Sequence, residues 1–285
     1  MSAMNAQEPN QIGEVGKVRL LRRRGRGRVP LRHRMPADKL RRGVYLIPSL
    51  FTAGNLMCGF FSIIATFNGE FINAALFIIL ANILDGIDGY AARLTRTTTQ
   101  FGVEFDSLAD VVSFGVAPAV LVYLWALVPW QNWGWLAACT YVVCGALRLS
   151  RFNVQANGAS KNHFVGLPIP AAAQMITSTV IIFYYLGGAG SPARHLTLLL
   201  VIYGLAALMV SNIPYFSLKN NDVKKRHPIW MLVSGIILIT LFIAERHLMF
   251  FTMVLLYTLS GPLLWCLSSF KRQRERRRSP ATALP

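Results

Sequence analysis

The sequence predicts an all-α, polytopic transmembrane bundle of about eight helices. Of the 285 residues, 54% are hydrophobic and only 14% are charged, whereas a soluble domain carries about 25% charged residues. The apolar residues fall in blocks of about 20, the helix length that crosses about 30 Å of hydrocarbon. The blocks are continuous rather than alternating, and an open sheet cannot satisfy its backbone in lipid, so we expect helices and not strands.

The predicted spans follow one another along the chain with polar connections between them. The first begins within "GVYLIPSLF", directly after a basic N-terminal arm. Arg93, Arg96 and a cluster of threonines mark the turn between the second and third spans. The aromatic group "WQNWGW" at 130–135 separates the third from the fourth and is typical of a membrane interface. The spans are 45–67, 71–92, 101–128, 134–150, 168–187, 195–214, 228–244 and 247–268.

The net charge of +17 is distributed unevenly along the chain. If eight helices alternate in direction, 27 of the 29 Lys and Arg residues face one side, and only Arg194 and Arg246 face the other. Basic loops stay in the cytoplasm, so this pattern predicts that both termini are cytoplasmic. The basic tails would also contact anionic membrane lipids. No nucleic-acid recognition module accompanies the charge, which argues against a nucleic-acid partner.

Neither the N-terminal arm nor the cysteines indicate processing or a separate metal site. The arm, residues 1–43, resembles the basic part of a signal peptide, but no short apolar core with a cleavage site follows it. We expect the arm to stay attached as a disordered extension. The cysteines fall inside predicted helices and are typical of small apolar core residues rather than of a disulfide or zinc framework. They are Cys58, Cys139, Cys144 and Cys266.

The stretch from 84 to 110 concentrates acidic residues between two apolar spans. Five of the 12 Asp and Glu residues lie there, and four of them form two pairs at helical spacing, which puts both carboxylates of a pair on one helix face. The pairs are Asp85 with Asp88, and Asp106 with Asp110. About 20 Å of apolar helix precedes the first pair. The four carboxylates are therefore expected to converge near the cytoplasmic boundary of the hydrocarbon.

Four converging carboxylates need a neutralising charge. Hard divalent cations such as Mg²⁺ or Mn²⁺ suit an all-oxygen site, and at a membrane boundary they suit a phosphate-bearing substrate. Small residues between the pairs leave room for a ligand or a neighbouring backbone; they are Gly86, Gly89, Ala91, Ala92 and Gly102. Two alternatives stay open: salt bridges to Arg93 and Arg96 with the remaining acids solvated, or an ion or proton pathway. Against the salt bridges, two arginines cannot neutralise four carboxylates. Against the pathway, the binding sites of transporters usually lie near the midplane of the bilayer, whereas these acids lie at its edge.

The same stretch resembles the signature of the CDP-alcohol phosphotransferase family, D-x2-D-G-x2-A-R-x8-G-x3-D-x3-D, at every specified position. These positions are Asp85, Asp88, Gly89, Ala92, Arg93, Gly102, Asp106 and Asp110. The resemblance implies a six-helix core, to which the last two predicted helices are an addition. It divides the chain into a basic arm at 1–43, a family core at 44–215, a loop with two more helices at 216–270 and a basic tail at 271–285.

Other stretches are similar to the bacterial branch of this family that uses serine as acceptor. They are "RGVYLIPSLFTAGNLMCGFF", "DSLADVVSFGVAPA", "RLSRFN", "FVGLPIPAAA" and "SNIPYFSLK", spread over about residues 42–220. The resemblance implies an enzyme of the bacterial cytoplasmic membrane, often a homodimer, that transfers a phosphatidyl group from CDP-diacylglycerol to the hydroxyl of L-serine and releases CMP. It implies two divalent ions held by the four aspartates, with Asp110 also the general base. Sibling acceptors (glycerol phosphate or inositol), an ether-lipid donor, and a cation transporter or scaffold remain as alternatives.

The remaining site residues are assigned to the two substrates. By the resemblance, Gly89, Ala92 and Arg93 hold the cytidine and diphosphate, and Gly102 belongs to the same set. Asn55 is either a nucleotide contact or an interhelical hydrogen bond. A second group is expected to bind the serine carboxylate, because guanidinium matches that anion, with anchoring at the cytoplasmic boundary as the alternative. This group comprises Arg148, Arg151 and Asn153.

Overall fold

The computed structural model describes residues 37–95, 99–156, 166–190, 194–213, 215 and 244–278. Within these ranges every regular element is helical and no strand is present, which confirms the predicted all-α class. The helices are α1 (Ala37–Phe67), α2 (Phe71–Thr95), α3 (Gln100–Trp130), α4 (Asn132–Ala156), α5 (Ile169–Tyr185), α6 (Leu196–Val210) and α7 (Arg246–Arg278).

The predicted count of about eight helices is not confirmed. Seven helices are described, and the predicted span 228–244 lies outside the described residues up to position 243. The basic arm before residue 37 and the end of the tail from residue 279 also lie outside them. The predicted division of the chain at residues 43, 215 and 270 therefore stays a prediction.

Four of the described helices are long and apolar enough to cross a membrane. The spans are Ser49–Phe67, Phe71–Ala91, Gln100–Trp130 and Arg246–Cys266. Helices α5 and α6 are also apolar but shorter, with 17 and 15 residues. At 1.5 Å per residue they cover only about 22–26 Å along their axes.

Several helices extend beyond the apolar blocks that predicted them. Helix α1 begins at Ala37, whereas the first span was predicted from residue 45. Helix α4 continues to Ala156, beyond the predicted end at 150. Apolar residues mark the part of a helix that lies in hydrocarbon, but the backbone hydrogen bonds continue wherever polar residues tolerate helical geometry. Hydropathy therefore underestimates helix length.

Helix α3 changes its winding directly after the signature. It is α-helical over Gln100–Asp110 and then widens into a π-helical turn at Val111–Val116. Pro118 has no backbone N–H, so the carbonyl of Phe114, four residues earlier, loses its usual donor. The buried hydroxyl of Tyr141 from α4 donates to that carbonyl at 3.1 Å. The Tyr141 hydroxyl thus replaces the missing backbone donor of the Phe114 carbonyl. The π-helical turn directly follows Asp110, and such turns are frequent at functional sites.

The bundle is held together by close packing of small residues. Helix α5 packs against both α2 and α7, and α4 packs against α6. Fully buried alanines lie on α2 and α5, where small side chains let the helix backbones approach each other. They are Ala74, Ala75 and Ala81 on α2, and Ala172 and Ala173 on α5. The packing leaves the polar ends of α2 and α3 facing α1 and α4.

Candidate active site

The structure brings the four signature aspartates together as a group of three with a fourth beside it. Asp85 and Asp88 lie near the end of α2, and Asp106 lies in the first turns of α3. One carboxylate oxygen of each lies within 4.8 Å of the others. Asp110 lies one turn further along α3, close enough to Asp85 for the two carboxylates to interact. Two carboxylates this close require a cation or a proton to offset their repulsion.

The start of α3 is fixed by a side-chain cap. The Thr99 hydroxyl accepts a hydrogen bond from the backbone N–H of Gly102 at 3.0 Å, and Thr99 itself has extended backbone angles. A Cβ atom at position 102 would lie 3.1 Å from the Thr99 hydroxyl, closer than most side chains approach, so glycine suits the cap. Capping sets where α3 begins, and hence where Asp106 and Asp110 lie. In this structure the role of Gly102 is to make room for the cap that begins α3.

Helix α1 supplies a donor to each pair of aspartates. The buried Thr52 hydroxyl donates to Asp88 at 2.9 Å. The side-chain amide of Asn55, three residues later on the same face, donates to Asp110 at 3.4 Å. Sequence reasoning missed Thr52, although the T-x2-N spacing on one helix face was a usable signal. The carboxylates are thus oriented by a helix that lies outside the signature.

Asn55 is itself fixed by close contact between α1 and α3. The Ser113 hydroxyl donates to the backbone carbonyl of Asn55 at 2.9 Å. A Cβ atom at Gly59 would overlap the Ser113 side chain, so the approach of the two helices depends on that glycine. The amide group of Asn55 therefore makes the interhelical bond that was one of its two predicted roles. Its Oδ1 atom is buried and accepts no hydrogen bond from the described residues.

The donor atoms fit a divalent metal ion. Asp106 Oδ1 is buried and accepts no hydrogen bond from any described residue. It belongs to the same three-carboxylate group as Asp85 and Asp88. Carboxylate oxygens are the preferred ligands of hard cations such as Mg²⁺, Mn²⁺ or Ca²⁺. A bound cation would satisfy the open oxygen and offset the negative charge of the group.

The residues predicted to bind the acceptor carboxylate differ in their surroundings. Arg148 is half-buried on α4, with its guanidinium 5.8 Å from the centre of the Phe152 ring and within electrostatic reach of Asp110. Its buried Nε atom has no hydrogen-bond partner among the described residues. Arg151 is exposed. The amide of Asn153 donates to the Ser107 hydroxyl on α3 at 2.8 Å. Arg148 is thus the member of this group with an electrostatic interaction with a signature aspartate.

The residues predicted to hold the nucleotide end continue along α2 from the aspartates. Gly89 directly follows Asp88 and is half-buried. Ala92 and Arg93 lie on the last turn of α2, but their side chains are outside the described part of the chain. The assignment of these three residues to the nucleotide stays a prediction.

Comparison with known proteins identifies the family. A family model described as CDP-alcohol phosphatidyltransferase matches residues 45–211, more than half of the chain. The chain belongs to this family. The resemblance inferred from the signature is thereby confirmed, and the apolar helices together with the family make the chain an integral membrane protein.

Curated relatives agree with one branch of the family. CDP-diacylglycerol–serine O-phosphatidyltransferase of Helicobacter pylori is 39% identical over 188 residues, which cover 65% of this chain and 76% of that protein. The enzyme of the same name from Bacillus subtilis is 37% identical over 66% of this chain and 97% of its own length. Archaetidylserine synthase of Methanothermobacter thermautotrophicus is 39% identical over 64% of this chain and 74% of its own length.

Proposed function

We propose that this chain transfers the phosphatidyl group of CDP-diacylglycerol to the hydroxyl of L-serine and releases CMP. The observation that carries the proposal is the grouping of Asp85, Asp88 and Asp106 within 4.8 Å, with buried Asp110 beside them. This arrangement occurs in a chain with the complete family signature. It provides a metal-binding group and a separate carboxylate, which are the two elements that a weak hydroxyl nucleophile needs at a phosphorus centre.

Serine is the proposed acceptor because the names of the similar proteins share it. Two of the relatives described above are named for transfer from CDP-diacylglycerol to serine, and the third is named for archaetidylserine. The lipid part of these names differs, whereas serine is common to all. A different lipid donor is therefore the second candidate to test, ahead of a different acceptor.

The proposed cofactor is a pair of divalent ions, Mg²⁺ or Mn²⁺, held by the four aspartates. Such ions bind phosphate oxygens and offset the charge that develops on the phosphoryl and leaving groups. Thr52 and Asn55 orient two of the carboxylates by hydrogen bonds from α1. The remaining acceptor atom, Asp106 Oδ1, is available to complete the ligand set.

Asp110 is the proposed general base. It lies beside the three-carboxylate group, and the Asn55 amide holds one of its oxygens. The serine hydroxyl gives its proton to this carboxylate as its oxygen forms a bond to the phosphorus that carries diacylglycerol. The bond between that phosphorus and the CMP oxygen breaks, and CMP leaves. A positioned base contributes about 10²–10⁴-fold to such a step.

The two substrates are proposed to enter from different sides of the carboxylates. Gly89, Ala92, Arg93 and Gly102 are assigned to the cytidine diphosphate, with forked hydrogen bonds from the arginine to phosphate oxygens. The open Oδ1 atom of Asn55 can accept a hydrogen bond from this substrate. Arg148 is assigned to the serine carboxylate, with Arg151 and Asn153 in supporting positions on the same helix. This arrangement keeps the two anionic groups on separate cations.

The proposed setting is the cytoplasmic membrane of a bacterium, with both termini and the site on the cytoplasmic side. The distribution of Lys and Arg supports this orientation. The acyl chains of the donor would stay among the membrane lipids while its diphosphate reaches α2 and α3. A homodimer, which the family resemblance implies, is proposed as the assembly.

An acceptor-dependence assay tests the function. Purified protein in lipid nanodiscs is given CDP-diacylglycerol, Mg²⁺ or Mn²⁺, and radiolabelled serine, glycerol phosphate or inositol in parallel, and CMP and labelled lipid are measured. We expect labelled lipid only with serine, and one CMP for each lipid formed. Transfer to glycerol phosphate or inositol alone would contradict the proposed acceptor. A parallel reaction with an ether-linked CDP lipid determines whether the donor is restricted to diacylglycerol.

A further inference from the structure

The first part of α3, Gln100–Asp110, is packed less firmly than the turn that follows it. The structure describes all of its residues, and the buried ones are Ala109 and Asp110 at its end. In the π-helical turn that follows, three of the six residues are buried. Segments with few buried contacts move more readily than buried ones. The position of Asp106 in this segment therefore depends on side-chain contacts with other helices.

Asn153 on α4 makes such a contact one residue after Asp106. Its side-chain amide donates a part-buried hydrogen bond to the Ser107 hydroxyl at 2.8 Å. The Ser107 hydroxyl in turn donates to the Val103 carbonyl of its own helix at 2.9 Å. A serine hydroxyl has one proton to donate and lone pairs to accept with, so the two bonds are compatible. Together they connect α4 to the backbone of α3 beside a signature aspartate.

A second hydrogen bond connects the same two helices deeper in the bundle. The Tyr141 hydroxyl on α4 donates to the Phe114 carbonyl in the π-helical turn at 3.1 Å, and α4 packs against that turn. The bond from Asn153 therefore holds the loosely packed start of α3, whereas the bond from Tyr141 holds its buried part. On α3, Asp110 lies between the two bonded residues, and on α4 Arg148 does. Loss of the Asn153 bond would leave the start of α3 without this tie to α4.

We propose that Asn153 is a positioning residue, which holds Asp106 in the metal-binding group through Ser107 and does not bind the acceptor itself. The proposal rests on the proposed function, because it takes Asp106 to be a metal ligand. One carboxylate oxygen of Asp106 lies within 4.8 Å of those of Asp85 and Asp88. A shift of the first turns of α3 would move that oxygen relative to the other two. Residues that orient metal ligands affect metal affinity without touching the ion.

The alternative is that Asn153 contacts the acceptor directly. A double-mutant cycle distinguishes the two roles, because residues that act through one hydrogen bond have non-additive effects, whereas independent residues have additive ones. If Asn153 acts through Ser107, its removal has no further effect once the Ser107 hydroxyl is absent. If it binds the acceptor, its removal raises the KM for serine whether or not that hydroxyl is present.

The experiment uses Ser107→Ala, Asn153→Ala and the double variant as full-length proteins in nanodiscs. Mn²⁺ affinity is measured without substrates by electron paramagnetic resonance, and kcat and the KM for serine are measured by CMP release. Each single variant should weaken Mn²⁺ binding and lower kcat by about threefold to tenfold, the effect of one lost hydrogen bond between neutral groups. The double variant should lose no more than either single variant. The KM for serine should not change.

Three further variants separate the bond from general effects of the substitutions. Ser107→Thr keeps a hydroxyl that can donate to a carbonyl one turn earlier in the helix, and it should keep wild-type Mn²⁺ affinity and kcat. Ser260→Ala removes a part-buried serine hydroxyl that donates to a carbonyl of its own helix at 2.7 Å. Asn73→Ala removes an exposed amide that donates to Glu70 at 2.9 Å. Both controls should leave Mn²⁺ affinity, kcat and the serine KM unchanged.

Each other outcome contradicts a specific statement. Absence of serine transfer by the wild-type protein contradicts the proposed function, while Mn²⁺ affinity still tests the role of Asn153. Unchanged Mn²⁺ affinity in Ser107→Ala and Asn153→Ala contradicts the positioning role. A higher serine KM in Asn153→Ala but not in Ser107→Ala shows direct contact with the acceptor. Additive losses in the double variant, or an equal loss in Ser260→Ala, show that the hydrogen bond between Asn153 and Ser107 is not the cause.

Discussion

The four aspartates of the site are chemically identical, but their neighbours differ. Asp88 is buried and accepts a hydrogen bond from Thr52. Asp110 is buried and held by Asn55. Asp106 keeps an oxygen without a hydrogen bond from the described residues. These differences favour a division of labour in which Asp106 acts as a metal ligand, whereas Asp110, also a proposed ligand, in addition accepts the proton.

This division predicts different defects in two matched variants. Asp106→Asn should weaken Mn²⁺ binding by about tenfold or more, since even the loss of an outer-shell partner has an effect of that size. Asp110→Asn should keep measurable Mn²⁺ binding but lower kcat by about 10²–10⁴-fold, the contribution of a general base. Mn²⁺ binding is measured by electron paramagnetic resonance of the protein in nanodiscs, and turnover by CMP release.

Glu104→Gln is the control, because Glu104 is an exposed acid on the same helix. It should change neither metal binding nor turnover. Equal loss of Mn²⁺ binding in the Asp106 and Asp110 variants would mean that Asp110 acts mainly as a metal ligand and not as the base.

The hydrogen bond from Thr52 leads to a second prediction at the residue scale. Thr52→Val keeps the shape of the side chain but removes the donor to Asp88, and we expect about a 10-fold to 100-fold loss of activity, as for other partners of metal ligands. Thr66→Val is the matched control on the same helix, because the buried Thr66 hydroxyl donates to a carbonyl of its own helix, that of Ser62, at 2.8 Å. Equal activity of the two variants would show that the bond to Asp88 is not needed.

The sequence predicts the signature residues better than the residues that hydrogen-bond to them. Spacing alone places Asp85 with Asp88 on one helix face. It does not reveal that Thr52, 36 residues earlier, lies against them, because threonine in an apolar helix is also compatible with a bond to its own backbone. Long-range contacts between helices depend on the packing of the whole bundle, which local patterns do not determine.

At the scale of elements, two prolines create the irregular contacts of the bundle. Each one leaves a helix carbonyl without its N–H donor, and a tyrosine hydroxyl from another part of the chain replaces it. The Tyr141 hydroxyl donates to the Phe114 carbonyl on α3, and the Tyr215 hydroxyl donates to the Thr258 carbonyl on α7. The helices themselves were predictable from hydropathy, but these pairs were not, since a proline shows that a donor is missing without showing which distant residue replaces it.

The first pair gives a prediction about stability. Tyr141→Phe should destabilise the protein by about 1–3 kcal/mol, because the Phe114 carbonyl would be left buried without a donor. The unfolding temperature of the protein in detergent micelles should fall accordingly. Tyr203→Phe is the control: its exposed hydroxyl donates to the Trp133 carbonyl over a longer distance of 3.4 Å. A similar fall in the unfolding temperature of both variants would mean that the buried hydrogen bond contributes no more to stability than the exposed one.

At the scale of the molecule, the placement of charge and the placement of the site support each other. The proposed site must open to water to take up a zwitterionic acceptor and release CMP, while the lipid donor requires the bilayer. The carboxylates lie near the end of α2 and the beginning of α3, on either side of the turn that joins the two helices. The proposed orientation puts this turn in the cytoplasm together with 27 of the 29 basic residues.

This orientation can be tested by labelling single cysteines in intact cells with a membrane-impermeant thiol reagent. The natural cysteines are first changed to Ala; Cys139 and Cys266 matter most, because they are exposed. A cysteine introduced at 219–226 or in the tail at 271–285 should stay unlabelled until the cells are opened, because basic segments are retained in the cytoplasm. Ser191→Cys should be labelled from outside, since eight alternating helices put the connection between α5 and α6 on the opposite face. Labelling of the 219–226 segment in intact cells would require an odd number of spans between the site and this segment.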